Sequence, residues 1–159
     1  MWFKNKIGVE EMKVRPILFI TAILFLSGCA DESDAQIDEF ELSPSFAVSE
    51  TDEREMVGVE GSVGLLFGDF AAGEPSKQMW HFWGDDLQNK LLTVKAFHQE
   101  TDTEINPFVR EEEHRLSGPN NGADYHLPSL LKLTEPGIWK MDIYLNEEYY
   151  DSIVVDVIE

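Results

Sequence analysis

Two runs near the end of the chain, residues 138–145 and 149–157, flank Asn146-Glu147-Glu148 and constrain the fold more than any other feature. In the first run Trp139, Met141 and Ile143 alternate with Lys140 and Asp142. Side chains of an extended strand point to opposite faces in turn, so this spacing makes one face apolar and the other wet. Pro136-Gly137 supplies the turn that leads in. Two such strands around a three-residue turn predict a β-hairpin. Helical periodicity is sustained nowhere in the chain.

From Gly58 onward the chain carries the same punctuation: short apolar runs separated by Gly, Pro, Asn and Asp. Residues 63–67 and 78–83 are expected strands, with 68–75 a loop between them and Gly84-Asp85-Asp86 a turn after them. In residues 91–98, Leu92, Val94, Ala96 and His98 alternate with Leu91, Thr93, Lys95 and Phe97, which predicts a strand with one buried face. Residues 105–109 read as a short edge strand interrupted by Pro107, which has no N–H to donate to a ladder. About seven short strands in a domain of roughly 100 residues predict an all-β protein, an immunoglobulin-like sandwich of two antiparallel sheets. Residues 133–139 resemble the corner that leads into the penultimate strand of such domains, with Trp139 where an aromatic is usual.

The start of the chain has a different character. Lys13 and Arg15 precede residues 16–26, in which Thr21 is the one polar side chain, and Ser27-Gly28-Cys29 follows. A positive region, an apolar core and small residues form an export signal. Eleven apolar-core residues fall well short of the roughly 20 that span a bilayer. Leu26-Ser27-Gly28-Cys29 resembles the lipobox of bacterial lipoproteins, in which the peptidase cuts before the cysteine and its thiol carries a diacylglycerol with palmitate-type chains. Cys29 is the sole cysteine, so an intrachain disulfide is excluded. Met12 makes a better start for the leader than Met1, because Glu10 and Glu11 oppose a positively charged beginning.

Removing residues 1–28 leaves eight basic and 29 acidic side chains, a net charge of −21. Many of the carboxylates crowd residues 30–55, where Arg54 is the lone cation, so this stretch is expected to be a self-repelling, flexible tether. Phe40, Leu42, Phe46 and Val48 leave room for a first strand near Phe46. The organisation expected is therefore a signal peptide over 1–28, an acidic tether over 29–55 and a β-sandwich over 56–159. Such an acid surface disfavours nucleic acid, whose binding rests on neutralising phosphates. It also keeps the folded part off an anionic lipid surface while acyl chains on Cys29 tether it there.

Residues 118–128 concentrate turn-forming and hydrogen-bonding types, which makes Asn120, Asn121, Asp124, Tyr125 and His126 the candidate binding loop. The alternative is that Asn120, Asn121 and Asp124 bond their own backbone to fix a long crossing between strands. His81, His98, His114 and His126, with Asp124, are residue types that hold zinc, but their spacing follows no metal-binding pattern. Trp80 and Phe82 share one face of a strand and Trp83 the other, so at most one face is free to stack on a ligand and the other belongs to the core. Glu111-Glu112-Glu113, Asp85-Asp86 and Glu147-Glu148 read as solvated turns rather than calcium sites. Ser117, His126 and Asp124 supply the residue types of a hydrolytic triad, without the G-x-S-x-G setting that exposes a nucleophile.

Trp80-His81-Phe82-Trp83-Gly84, the run Thr93-Val94-Lys95-Ala96-Phe97-His98-Gln99-Glu100-Thr101, residues 118–129 and Pro136-Gly137-Ile138-Trp139-Lys140-Met141-Asp142 make the chain similar, over about residues 76–157, to the uncharacterised lipoproteins and exported proteins of Bacillus and its relatives that carry the domain of unknown function DUF4871. The resemblance implies a small exported β-sandwich in a bacterial setting and brings no catalytic residue. Together these readings predict a lipid-anchored binding or interaction module on the extracytoplasmic side of the cell membrane. No catalytic residue, cofactor or metal is assigned. Its expected partners are the membrane, through lipid on Cys29, and a cell-envelope protein or small ligand. The alternatives are a metal-dependent or enzymatic accessory protein using residues 118–128, and a structural spacer of the envelope.

Overall fold

The computed structural model describes residues 39–49, 51–66 and 69–159. The expected leader, the lipidation site Cys29 and the first part of the acidic arm lie outside the described residues, as do Glu50, Phe67 and Gly68. The described strands are β1 (Ser45–Ser49), β2 (Asp52–Val59), β3 (Val63–Leu66), β4 (Phe70–Ala71), β5 (Ser76–Phe82), β6 (Leu92–His98), β7 (Glu104–Ile105), β8 (Tyr125–Leu131), β9 (Gly137–Leu145) and β10 (Glu148–Ile158). They form two sheets, ordered β1-β2-β3-β5-β8 and β4-β10-β9-β6-β7. Adjacency of β3, β5 and β8 in one sheet, and of β6, β9 and β10 in the other, reproduces the A-B-E and C-F-G connectivity of an immunoglobulin-like sandwich.

The core follows from the alternation in the sequence. Trp139, Met141, Ile143 and Leu145 of β9 are buried, as are Leu92, Val94 and Ala96 of β6 and Ile153, Val155 and Val157 of β10. The other sheet contributes Leu65, Trp80, Phe82, Leu127 and Leu131. The rings of Trp80 and Phe82 stack 6.3 Å apart, which puts this face of β5 in the core. Burying one such large side chain stabilises the fold by about 1.5–3 kcal/mol relative to leaving it exposed. At the corner before β9, Trp139 Nε1 donates to the carbonyl of Glu135 at 2.9 Å, so its polar edge is satisfied inside the apolar layer.

Several local expectations change. Within residues 45–55, read above as tether with room for a first strand near Phe46, Ser45–Ser49 form β1 and residues 52–55 begin β2, an antiparallel hairpin on the edge of the first sheet. Its charges do not prevent a strand, because Glu53, Arg54 and Glu55 stay exposed while Met56 turns inward. The expected loop over 68–75 contains β4, which crosses to the second sheet and pairs parallel with β10 through Phe70 and Val157. The turn after β9 has two residues, Asn146 and Glu147, both with positive φ (52° and 69°), and Glu148 already pairs with Leu145. The edge strand expected over 105–109 divides: Glu104 and Ile105 pair with β6, and beyond Pro107 the chain passes to the other sheet, where Val109 N donates to the Leu130 carbonyl at 3.0 Å.

Candidate functional site

The segment expected as a recognition loop is a tight hairpin that runs into β8. Ser117 and His126 exchange backbone hydrogen bonds of 2.9 and 3.2 Å, and Asn120 and Ala123 exchange bonds of 3.2 and 2.9 Å. Asn121 and Gly122 sit between them at φ 49° and 81°. An Asn-Gly pair with both φ positive is the favoured two-residue hairpin turn, since its twist matches that of the strands it joins. Tyr125, His126, Leu127 and Pro128 therefore belong to β8 rather than to a loop.

The side chains of this hairpin are engaged within the domain. Asn121 Nδ2 donates to His81 Nε2 at 3.0 Å, and Asn121 Oδ1 accepts from Arg54 Nη2 at 3.4 Å. Trp83 Nε1 donates to the Gly122 carbonyl at 3.1 Å, and Phe46 of β1 meets the Trp83 ring edge-on at 5.9 Å. Asp124 Oδ2 accepts the N–H of Gly84 at 3.0 Å, tying the hairpin to the turn after β5. Tyr125 packs against the core, and His126 Nδ1 donates to the Gly118 carbonyl at 2.7 Å. Asn120 takes part through its backbone. What the hairpin leaves toward solvent is a polar hollow of about 390 Å³, whose rim includes Asp85, Asp86, Gly118, Pro119 and Asp124.

His81 is fully buried beneath this assembly. Its Nδ1 donates to the Met79 carbonyl at 3.1 Å, so Nε2 is the lone-pair nitrogen that accepts from Asn121. Burial pulls its pKa below the ordinary imidazole value, and the nearby positive potential of His126 and Arg54 adds to the shift, against the opposing Met79 hydrogen bond. His98 is held between Pro136, whose carbonyl accepts from Nε2 at 3.0 Å, and Thr101, which reaches Nδ1. His114 stacks on Phe108 with ring centres 3.8 Å apart. The histidines are thus distributed, and among the described residues no group of three or more His, Cys, Asp or Glu is placed to hold a metal ion. Ser117, His126 and Asp124 lie on one hairpin, but His126 Nδ1 is bonded to Gly118 and Asp124 to Gly84.

A larger groove lies across β5 and β8, lined in part by Lys77, Met79, Arg110, His114, Pro128 and Leu130. Sequence reasoning did not find it. Its residues come from three separated segments, and their approach depends on β8, which reads as a loop because of Pro128.

A family model for the domain of unknown function DUF4871 matches residues 32–155. The crystal structure of a "Putative Lipoprotein from Bacillus anthracis" is similar over 74% of this chain and 86% of that one, with 25% identity and a TM-score of 0.60. No curated protein matches.

Proposed function

Because the chain belongs to the DUF4871 domain family, we propose that it is a lipid-anchored, extracytoplasmic interaction module of the bacterial cell envelope. The observation that carries this reading is Ser27-Gly28-Cys29 placed directly after an eleven-residue apolar core that ends in Leu26. The similarity to a protein named as a lipoprotein supports it. A pair of acyl chains on Cys29 anchors firmly, since each buried methylene contributes about 0.8 kcal/mol and one chain alone holds only marginally. The charge of −21 beyond the cleavage point repels an anionic leaflet and leaves the sandwich standing off it.

In this reading the hairpin bearing Asn120, Asn121, Asp124, Tyr125 and His126 forms one wall of the binding surface. Its inward bonds hold the wall in shape, and the exposed rim at Asp85 and Asp86 meets an envelope protein or small ligand. The test is the intact mass of the protein extracted from membranes of a bacterial host. A diacylglyceryl group on an amino-terminal Cys29 is expected, with Cys29→Ser abolishing both the modification and membrane retention. Recovery of a soluble chain with a free thiol at Cys29 would overturn the proposal.

A further inference from the structure

The groove across β5 and β8 gathers Lys77, Arg110 and His114 around a single carboxylate, Glu112, which sets it apart from the acid character of the domain as a whole. Met79 faces Pro128 and Lys77 faces Leu130 in the β5–β8 register, so all four lie on the outer face of the first sheet, opposite Trp80 and Leu127. The strap that follows Pro107 runs along the edge of β8, fixed by Lys132 N donating to the Pro107 carbonyl at 2.8 Å, and brings Arg110 and His114 to the same groove. His114 Nε2 is buried and has no hydrogen-bond partner among the described residues. The groove encloses about 580 Å³, a size typical of small-molecule sites.

Cations are scarce in this chain, and several are neutralised where they stand. Arg54 is bonded to Asp52, Arg115 to Glu113, and Lys140 to Glu39 and Asp142. Lys77 makes no ion pair among the described residues, and Arg110 reaches Glu112 at 3.9 Å with both side chains largely exposed. Two weakly committed cations therefore border an apolar floor of Met79, Pro128 and Leu130. A polyanion would still meet the field of the whole acidic surface. A single carboxylate meets mainly the groove's own charges, Lys77 and Arg110 against Glu112, since charges beyond about 8 Å are largely screened at physiological salt while a contact pair is not.

We propose that this groove binds an apolar monocarboxylate, the acid group held by Lys77 and Arg110 and the hydrocarbon body lying on Met79, Pro128 and Leu130. The proposal gives the interaction module a ligand class, and it is independent of acylation at Cys29. The test is a titration of the mature chain from residue 29, carrying Cys29→Ser, with decanoate, decanol and decylamine, following the His114 ring by NMR. Decanoate is expected to shift that signal saturably, with binding about tenfold weaker in Arg110→Glu and in Lys77→Glu. Affinity should also fall several-fold as NaCl rises from about 50 to about 500 mM. Decanol or decylamine binding as well as decanoate, an affinity unchanged by salt and by both charge reversals, or no saturable shift would each overturn the proposal. Because the lipid is absent from this assay, such a result leaves the anchoring at Cys29 to stand or fall on its own mass measurement.

Discussion

Asn121 Nδ2 lies 3.0 Å from His81 Nε2 and donates to it, joining the tip of a surface hairpin to a fully buried imidazole. The native state favours neutral His81, because burial, together with Arg54 and His126, pulls its pKa below 6.5. On acidification the unfolded chain therefore takes up this proton first. The stabilisation is complete above 6.5 and is lost as pH falls through the lower folded value. Urea midpoints measured between about pH 7.5 and about pH 5 should decline in step. Asn121→Gly keeps the positive φ but removes the donor; it should cost about 1 kcal/mol at neutral pH and reduce the pH slope. A slope unchanged by this substitution would separate the hairpin from the titration.

The Tyr150 hydroxyl donates to the Trp83 carbonyl at 2.6 Å and the ring meets Phe82 edge-on at 5.9 Å, so β10 is latched to the end of β5. Tyr150→Phe leaves that carbonyl without its donor and should destabilise by about 1–2 kcal/mol in chemical denaturation. Burial, with Asp151 and Asp124 nearby, raises the phenol pKa above 10 despite the hydrogen bond to Ser62. Its stabilising contribution is thus complete below pH 10 and lost as pH rises through the folded value. An ultraviolet absorbance titration should show a late-ionising phase from Tyr150, and that phase should vanish in Tyr150→Phe.

Trp139 is fully buried, with its ring centre 5.0 Å from that of His98 and its indole N–H on the Glu135 carbonyl. Trp139→Phe should cost about 1–3 kcal/mol, through the orphaned carbonyl and the lost volume. Trp139→Ala should cost about 3–5 kcal/mol. Equal losses in the two variants would mean that the hydrogen bond, not packing, dominates at this corner.

Glu147 occupies a left-handed conformation at φ 69°, which penalises a side chain and suits glycine. Glu147→Gly should stabilise the domain by about 0.5–1 kcal/mol and raise Tm by a few degrees. Asn146→Ala should do the opposite, since Asn146 also has positive φ and its Oδ1 accepts the N–H of Leu91 at 2.8 Å. Thermal unfolding of the two variants beside the parent chain checks both signs.

The most legible parts of this fold are those whose partners are near in sequence or whose two faces differ sharply. Leu92, Val94 and Ala96 point inward in β6 as the alternation requires, and Trp139, Met141 and Ile143 do so in β9. Trp80 and Phe82 sort to the core and Trp83 away from it for the same reason. The Asn121-Gly122 turn carried a local signal that was there to be read, a hairpin dipeptide, but the density of loop-forming residues around it concealed the strand that follows. Pro128 compounded this, although a proline without an N–H is tolerated in a strand at a sheet edge.

From the sequence alone come the wet and dry faces of the central strands, the terminal hairpin and the expectation of an immunoglobulin-like sandwich, because side-chain period is a local property of the backbone. Tertiary structure alone decided that β1, beginning near Phe46, pairs with β2 as an edge hairpin and that β4 joins the other sheet in parallel. It also decided that Asn121 turns in to His81, and that Lys77, Arg110 and His114 border one groove. Each of these depends on register between segments far apart in the chain, and neither residue type nor periodicity specifies which distant strand supplies the partner.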